Sequence, residues 1–414
     1  MIRVVDQEKA GPITEAPGDR KALGIYIQVP FCQTKCTYCN FHTGVAARAA
    51  YAPYALAVER EIRDWRSLHA AAGLASVARL ASATLDTVYL GGGTPSLFDP
   101  ADLSRILAAV RSQFVCSDGE VTLEADPETI TPEKAAQWLE AGINRISLGA
   151  QSFSDPELVA AGRMHRREDI FRAIAHLRSA GLANVSLDLI AGLPHQTPSS
   201  WQASVEETLR LRPEHISIYL LEVDEGSRLG RELLAGGARY GATQVPGDDA
   251  MADSYELACE QLRQAGYEHY EISNWALPDF RSRHNLKYWR REPYLGFGAG
   301  AHSFDGQWRW ANAHDPAAYV TSIDRNRLPI EQLEEVTPRQ AFDEELFLGL
   351  RQLEGIDLAR LETQYGAQYN RMLGARMDEL SAQGLIERAG TRVRLAPDRL
   401  TVSNEVFVAL LDEA

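Results

Sequence analysis

Three cysteines within eight residues constrain this chain more than any other feature of its sequence. Cys32, Cys36 and Cys39 have the spacing C-x3-C-x2-C and directly follow the apolar run 24–31. Cysteine thiolates are soft ligands, and a closely spaced set selects zinc or an iron-sulfur cluster over hard cations. A four-iron cluster held by three cysteines keeps one iron without a protein ligand, whereas a complete electron-transfer cluster takes four cysteines. The spacing therefore favours a cluster with one iron open to chemistry.

The cysteine segment by itself leaves three other interpretations open. Single buried cysteines are common packing residues, but Gln33 and Lys35 between the thiols disfavour a purely structural role. Zinc is the second alternative, with His42 as a fourth ligand in the pattern C-x3-C-x2-C-x2-H. A disulfide framework is opposed by the total of five cysteines and by the absence of a secretory signal. The rest of the chain has to decide among them.

Length and composition indicate a globular protein of two or three domains, or one barrel with an appended module. The 414 residues are 45% hydrophobic and 24% charged, with a net charge of -15. This charge disfavours binding to a nucleic acid backbone or to an anionic membrane surface. The polar stretch 1–22 has no signal-peptide core, and no window reaches the roughly 18 apolar residues of a membrane span. We expect a cytoplasmic protein with a flexible N-terminal extension, no nucleic acid partner and no membrane insertion.

Short apolar runs alternate with longer amphipathic runs from residue 24 onward, which is typical of βα units. Six strands are predicted, over 24–29, 85–90, 120–124, 145–148, 184–190 and 215–220. Helices are predicted between them, over 55–80, 99–114, 131–142, 168–180 and 198–211. Right-handed crossovers give a parallel sheet rolled toward a barrel. The predicted fold class is α/β, with a partial (βα)6 barrel over 23–245.

Glycine and polar residues follow the predicted strands at one end. The first strand runs into the cysteines and the second into Gly91-Gly92-Gly93-Thr94-Pro95. The third strand ends at Glu124, the fourth is followed by Gln151, and the fifth carries Asp188. Taken singly, Glu124 fits a helix cap and Asp188 a buried hydrogen-bonded carboxylate. Because active sites of βα barrels collect at the carboxyl ends of the strands, we expect these residues to share one mouth.

The three consecutive glycines predict a place where a ligand approaches the backbone closely, since no Cβ blocks it. Their spacing matches neither G-x-G-x-x-G nor a P-loop. A dinucleotide or nucleoside triphosphate site is therefore not predicted here.

Beyond residue 245 the alternation of short and long runs ends. A helix over 248–264 leads to a short strand at 267–272 and then to an aromatic and glycine-rich segment, 281–310. The region 336–414 is predicted as three helices followed by a hairpin over 384–395, a mainly α, winged-helix-like order. The negative charge favours a structural cap on the barrel over DNA binding. We expect four regions, 1–22, 23–245, 246–335 and 336–414.

The cysteine motif followed by Gly91 to Pro95 resembles the radical S-adenosylmethionine (SAM) superfamily, over about residues 23–410. In that family the open iron of a 4Fe-4S cluster is chelated by SAM, and an electron from the cluster cleaves SAM to a radical. The resemblance implies that Cys32, Cys36 and Cys39 ligate the cluster. It implies that the residues around SAM and the cluster are Tyr26, Tyr38, Gly92, Gly93, Thr94, Glu124, Gln151, Arg163 and Asp188.

The order of all motifs resembles the branch that contains oxygen-independent coproporphyrinogen III oxidases and HemW-type heme chaperones. The oxidases carry a further cysteine two residues after the third, where this chain has Phe41, and a longer N-terminal segment than the 31 residues before Cys32. The chaperones share the three-cysteine form and the H-N-x-x-Y-W motif, which stands here at 284–289. The resemblance thus favours a heme chaperone. It leaves an oxidase, or a radical enzyme acting on heme such as a ring-opening methyltransferase, as alternatives.

The expected partners are heme and a heme-accepting protein such as a respiratory enzyme. His284 is the predicted axial ligand of heme, because a neutral imidazole commonly ligates heme iron and Tyr288 and Trp289 offer flat apolar surface. His302 and a cysteine are the alternative ligands. Coproporphyrinogen oxidation is not expected, whereas SAM cleavage stays open. Cys116 and Cys259 match no motif and are expected to be ordinary core residues.

Overall fold

The computed structural model describes residues 22–411, so the predicted N-terminal extension lies outside the described residues apart from Ala22. The strands are β1 (Leu23–Val29), β2 (Phe31–Cys32), β3 (Gly44–Val45), β4 (Thr84–Gly92), β5 (Val115–Ala125), β6 (Arg145–Gln151), β7 (Asn184–Ala191), β8 (His215–Leu220), β9 (Glu268–Glu271), β10 (Asn274–Ala276), β11 (Tyr294–Phe297), β12 (His302–Phe304), β13 (Trp308–Asn312), β14 (Ile330–Glu335), β15 (Ile356–Asp357), β16 (Ile386–Ala389) and β17 (Arg392–Leu395).

The α-helices connect and cover these strands. They are α1 (Tyr51–Arg63), α2 (Trp65–Ala71), α3 (Pro100–Gln113), α4 (Pro132–Glu140), α5 (Asp155–Ala160), α6 (Arg167–Ala180), α7 (Pro198–Leu211), α8 (Arg228–Leu234), α9 (Asp248–Gln264), α10 (Arg283–Trp289), α11 (Pro316–Asp324), α12 (Pro338–Leu350), α13 (Leu358–Tyr365), α14 (Ala367–Ala382) and α15 (Ser403–Leu411). Short 3-10 helices occur at Arg48–Ala50, Ala75–Ser82, Pro95–Leu97, Pro127–Thr129, Arg239–Gln244 and Leu400–Val402. Within the described residues, no helix combines the length and apolarity needed to cross a membrane.

The predicted six-stranded parallel sheet is present. Strands β1, β4, β5, β6, β7 and β8 pair in that order, each parallel to the next. Helices α3, α4, α6 and α7 lie between successive strands along the chain, and all four begin within one residue of the predicted start. The side chains of Asp99 and Thr131 accept hydrogen bonds from backbone N–H groups of the first turn, and a proline follows each cap. The α/β fold class is therefore confirmed.

The sheet extends beyond the six predicted strands on both sides. Strand β11 lies parallel to β1, and β12, β13 and β14 continue the sheet in antiparallel fashion, while β10 and β9 follow β8 at the other edge. Part of the glycine-rich segment is thus strand. Gly296 is required within it, because a Cβ there would lie 2.1 Å from the carbonyl oxygen of His302. These strands have only three to six residues, too few for a clear alternation of apolar and polar positions.

The prediction of a single helix over 55–80 is wrong. The chain leaves helical geometry at Asp64, which has φ -99° and ψ 9°, so that α1 and α2 are separate and a 3-10 helix follows. The break lets Trp65 turn into the core, where its ring stacks on Phe114 at 5.0 Å between centroids. Tertiary packing of one large aromatic residue here outweighs the helical pattern of the sequence.

The C-terminal region has the predicted three helices, α12 to α14, and a hairpin of β16 and β17. Strand β15 pairs with β17, and α15 packs back on α12 through Phe347 and Phe407, whose ring centroids are 5.0 Å apart. Backbone hydrogen bonds from Ile272 to Arg351 (3.0 Å) and from Leu353 to Tyr270 (3.1 Å) join this region to the edge of the large sheet. It is therefore attached to the edge of the large sheet beside β9.

A buried carboxylate ties α1 to the strands that extend the sheet. Glu61 is fully buried and accepts hydrogen bonds from the N–H of Gly298 (2.9 Å), the amide of Asn312 (2.8 Å) and the hydroxyl of Tyr319 (2.6 Å). Burial raises the pKa of Glu61 to about 7. The three donors come from the β11–β12 connection, β13 and α11, so one side chain joins the barrel to its extension.

Replacing Glu61 with Ala should lower the free energy of unfolding by about 2 to 4 kcal/mol, since a buried donor left without an acceptor costs about 1 to 3 kcal/mol. Urea denaturation of the full chain measures this. Arg60→Ala is the matched control on the same helix, because its ion pairs with Asp64 and Asp324 are exposed and should contribute at most about 1 kcal/mol. Equal stability of the two variants would contradict this role of Glu61.

Candidate functional site

A cavity of about 530 Å³ lies at the carboxyl ends of the parallel strands. Side chains two residues apart point to the same face of a strand, and Arg145, Ser147, Gly149 and Gln151 of β6 all line it. The lining also brings together almost all of the predicted site residues, namely Cys32, Cys36, Tyr38, Cys39, Gly92, Gly93, Thr94, Glu124, Gln151, Arg163 and Asp188. The shared mouth inferred from the strand ends is therefore present in the structure.

The cysteine loop is closed at its base by the short parallel pair β2 and β3. Cys32 lies opposite Val45 in this pair, and the N–H of Gly44 donates to the carbonyl of Pro30 at 2.9 Å. Thr37 fixes the far side of the loop, since its N–H donates to the carbonyl of Ala161 (2.9 Å) and its carbonyl accepts from Leu229 (2.8 Å). The loop is thereby held over the end of the barrel with its three thiols toward the cavity.

The three thiols have surroundings suited to metal ligation. None of the three forms a disulfide bond, and all are partly exposed to the cavity. Nη1 of Arg163 lies 3.5 Å from Sγ of Cys36, so a cation is in place beside a thiolate. Burial raises the pKa of Cys32, so this residue is a thiol that releases its proton when a metal ion binds. Three soft donors beside an Arg fit an iron-sulfur cluster.

The alternative zinc site with His42 finds no support in the geometry. Among residues 22–411, no three His, Cys, Asp or Glu side chains are arranged so that they could hold one metal ion. The His42 ring lies instead against His314, with 4.1 Å between centroids. In a four-iron cluster each thiolate binds a different iron, so its ligands stand further apart than those around a single tetrahedral zinc ion.

The glycine segment is shaped by what surrounds it. A Cβ on Gly91 would lie 2.8 Å from the Tyr89 ring and 3.0 Å from both Oε1 of Glu124 and the hydroxyl of Tyr26. Gly92 has φ 110°, which favours glycine, and its N–H donates to Oε2 of Glu124 at 2.9 Å. The glycines thus bring backbone and a carboxylate to the same point of the mouth.

Glu124 is the carboxylate at that point. Its Oε1 accepts a hydrogen bond from the Tyr89 hydroxyl at 2.9 Å. Burial raises the pKa of Glu124 to about 7, although the hydrogen bonds from Tyr89 and Gly92 oppose the shift. The side chain therefore changes its charge near neutral pH.

Arg163 and Asp126 form a buried ion pair between the cysteine loop and the strand ends. Nη2 of Arg163 contacts Oδ1 of Asp126 and donates to the carbonyl of Gly149 at 2.9 Å, while Oδ2 of Asp126 accepts from the Thr94 hydroxyl at 3.1 Å. Burial disfavours the charge of Arg163, but Asp126 and Cys36 outweigh it and raise its pKa. Nε of Arg163 is buried without a partner among the described residues, so the guanidinium has donor capacity left.

Asp188 and Gln151 line the same cavity from neighbouring strands. The Ser147 hydroxyl donates to Asp188 at 3.2 Å, and burial raises the pKa of this carboxyl. Gln151 has φ 67°, a left-handed conformation that is uncommon outside glycine, at the end of β6. Strained residues of this kind cluster at functional sites.

Two predicted site residues do not line the cavity. Tyr26 lies one layer behind it, where its ring stacks on Tyr89 at 6.0 Å and its hydroxyl donates to Gln28 at 2.9 Å. His284 is only 1% exposed, and its ring nitrogens lie 2.9 Å from the hydroxyls of Thr87 and Tyr288. Burial lowers the pKa of His284 to about 3. The expectation that His284 ligates heme does not fit this geometry, because both nitrogens are already used inside the core.

Sequence reasoning also missed or misplaced a few residues. Asp126 stands two positions after Glu124 at the end of a strand. The alternation of side chains along a strand would have predicted that both point to the same face. Arg145 is 2% exposed and lines the cavity, with Nε unpartnered among the described residues. The alternation of side chains along β6, which turns Gln151 toward the cavity, also predicts that Arg145 lines it. Cys116 is exposed, so its expected place in the core is wrong, whereas Cys259 packs partly buried against the core.

Comparisons with known proteins identify the family of this chain. Residues 26–208 match the radical SAM superfamily model, and residues 336–398 match the HemN C-terminal domain. The chain is 32% identical to the heme chaperone HemW of Bacillus subtilis, over 94% of this chain and 99% of that protein. It is 35% identical to HemW of Mycobacterium tuberculosis, over 96% of each chain. The chain belongs to the HemW family of the radical SAM superfamily.

A solved structure shares the fold of this chain. Escherichia coli coproporphyrinogen III oxidase HemN, a radical SAM enzyme, has a TM-score of 0.79 over 94% of this chain and 90% of its own, at 21% identity. Identity this low shows the shared fold alone. Membership of the HemW family implies a 4Fe-4S cluster and SAM, and the cysteine loop and polar cavity are the part of this chain that suits both.

Gly91→Ala should destabilise the protein by about 1 to 3 kcal/mol, because the added methyl group overpacks against Tyr89, Tyr26 and Glu124. Thermal or urea unfolding measures the loss. Gly374→Ala in α14 is the control, since nothing lies within 4 Å of a Cβ there and Ala should stabilise the helix by up to about 1 kcal/mol. An unchanged free energy of unfolding in the Gly91 variant would contradict the tight packing around this glycine.

Proposed function

We propose that the chain is a heme chaperone on a radical SAM scaffold, which binds a 4Fe-4S cluster and SAM and transfers heme to an acceptor protein. The observation that carries the proposal is the likeness to HemW proteins over nearly the full length of both chains. The absence of a fourth cysteine, where Phe41 stands, also separates the chain from the oxidases it resembles. The acceptor is a heme protein, for which a respiratory enzyme is the expected class.

Cys32, Cys36 and Cys39 would hold the cluster in this proposal, and a reduced cluster supplies the electron that cleaves SAM. Arg163 offsets the negative charge of the thiolates, because its guanidinium lies beside Cys36 and is kept charged by Asp126.

The polar lining of the cavity would bind SAM. The carboxylates of Glu124 and Asp188 suit hydroxyl groups and positive charge, while the N–H groups of the glycine segment and the guanidinium of Arg163 suit a carboxylate. Arg145 adds a second buried cation deeper in the barrel. A cavity of about 530 Å³ is in the range that holds one small-molecule ligand.

Replacing Cys32, Cys36 or Cys39 with Ser should abolish the broad visible absorption and most of the iron of the anaerobically reconstituted protein. Iron content and the absorption spectrum measure this. Cys259→Ser is the matched control, because that thiol packs away from the loop and should leave the iron content unchanged. Full iron retention in all three loop variants, or stoichiometric zinc without iron in the wild type, would contradict the cluster.

SAM affinity should rise with pH through about 7, because Glu124 is protonated below its raised pKa and ionised above it. The ionised carboxylate attracts the positively charged ligand, and the protonated form does not. Glu124→Gln should bind SAM without this part of the rise. Isothermal titration calorimetry at pH 6, 7 and 8 measures the difference between the two proteins, which cancels the titration of the ligand's own amine.

Glu168→Gln is the control for that experiment, since Glu168 is exposed on α6 away from the cavity. Its SAM affinity should follow the wild type at each pH. If SAM affinity changed with pH in the same way in the wild type and in Glu124→Gln, Glu124 would have a purely structural role.

The proposed function is tested with one anaerobic preparation of the full chain with reconstituted cluster. One arm titrates hemin and measures heme transfer to an apo-heme protein by the change in the Soret band. The other arm measures turnover of coproporphyrinogen III with SAM and a reductant. We expect stoichiometric heme binding and transfer without turnover. Turnover would instead identify the chain as a coproporphyrinogen III oxidase, and failure of both arms would refute both functions.

A further inference from the structure

The proposed function needs a place for heme, and neither the barrel cavity nor His284 suits it. The barrel cavity is lined by charged side chains, including Glu124, Asp126, Arg145 and Asp188, which suit SAM better than a flat apolar porphyrin. His284 is buried with both ring nitrogens partnered. A heme ligand has to be sought among imidazoles whose nitrogens are free.

Most histidines of the chain are already committed to hydrogen bonds. Of ten histidines, six have a ring nitrogen within hydrogen-bond distance of a partner, namely His69, His165, His176, His215, His269 and His284. Among residues 22–411, the four imidazoles without such a partner are His42, His195, His302 and His314. Three of these four lie together beside the cysteine loop.

The geometry of the three-histidine group, His42, His302 and His314, is set by the loop and the extended sheet. The rings of His42 and His314 are 4.1 Å apart between centroids and tilted by 32°. His302 lies opposite Ala311 in the β12–β13 pair, and His314 and His42 are near enough to act on its charge. Nε2 of His314 stands 4.0 Å from Oε2 of Glu331, and its Nδ1 is buried without a partner among the described residues.

His302, the third member of the group, is held in the uncharged form that can ligate metal. Burial lowers the pKa of His302, and the neighbouring His314, Arg309 and His42 lower it further. A neutral imidazole with a free nitrogen is the ordinary axial ligand of heme iron.

The same loop presents apolar surface and a cation. Phe41 and Val45 flank His42 and are 66% and 65% exposed, the two most exposed large apolar side chains recorded in the described part of the chain. Exposed apolar side chains grouped together mark ligand or partner surfaces. Nζ of Lys35 donates to the carbonyl of Phe41 at 3.2 Å, so an ammonium group stands next to this surface.

We propose that heme binds on the outside of the cysteine loop, with its iron ligated by an imidazole of the His42–His314 pair and its face on Phe41 and Val45. The contact between the two rings leaves no room for the porphyrin between them, so one imidazole is the ligand and the other packs behind it. Lys35 is placed to pair with a propionate. This inference rests on the proposed function, because it supplies the site for the heme that a chaperone carries.

The test is an anaerobic hemin titration of the full chain with reconstituted cluster, followed by the Soret position, the affinity and the stoichiometry. The wild type should bind one heme, and the double variant His42→Ala/His314→Ala should lose at least tenfold in affinity with a changed Soret position. Iron content of the cluster and the thermal unfolding midpoint establish that both proteins are folded and loaded. The single variant His42→Ala, at an exposed position, keeps the test valid if the double variant unfolds, and should show a weakened or shifted spectrum.

Two matched controls separate this site from other imidazoles. His195→Ala removes the remaining imidazole without a hydrogen-bond partner, and His284→Ala removes the buried histidine of the H-N-x-x-Y-W motif. Heme binding should stay unchanged in His195→Ala. Wild-type affinity and spectrum in the double variant would overturn the proposed site while the chaperone function stands. Absence of heme binding by the wild type would refute the chaperone function itself, and a loss as large in either control would also overturn the site.

Discussion

The parallel pairing of β1 with β4 on one side and β11 on the other is the constraint on which the rest of the structure depends. Leu23, Ile25, Ile27 and Val29 of β1 are fully buried, so this strand is fixed at the centre of the large sheet. Its carboxyl end becomes the start of the cysteine loop within three residues. A loop that leaves the middle of a sheet has to cross the strand ends, and this places the thiols over the barrel mouth.

Burial at that mouth acts differently on the carboxyl groups and on the guanidinium. Burial raises the pKa values of Glu124 and Asp188, so both carboxyls sit closer to neutrality than exposed groups would. The Arg163 guanidinium keeps its charge because Asp126 compensates its burial. Such a cavity can bind a ligand that carries both positive and negative charge. Each charge of the ligand meets a protein group of opposite charge that was already desolvated when the chain folded. A hydrophobic lining would bind such a ligand poorly.

The sequence predicts the six parallel strands and most of the cavity lining because both follow from local signals. Buried parallel strands are nearly continuous apolar runs, and the residues at their carboxyl ends share one edge. The failures all concern burial, which depends on the packing of the folded chain and not on local sequence signals. Trp65 interrupts a helical pattern to reach the core, Cys116 lies on an exposed stretch of β5, and His284 is covered by Thr87 and Tyr288. Aromatic neighbours in sequence cannot reveal whether an imidazole is open or enclosed.

The cysteine loop also links the cavity to the three-histidine group. The pairing of Cys32 with Val45 encloses both the thiols and His42 in one closed loop, so the position of His42 depends on how that loop is held. Its far side is tied to α5 and α8 through Thr37, and its outer side rests on the ring of His314. Ligation of three thiols by a cluster would restrict the same backbone that carries Phe41, His42 and Val45. In the proposed site, order imposed on the inside of the loop would extend to its outside. Fixing the apolar side chains and the imidazole in advance would then reduce the entropic cost of binding a rigid planar ligand.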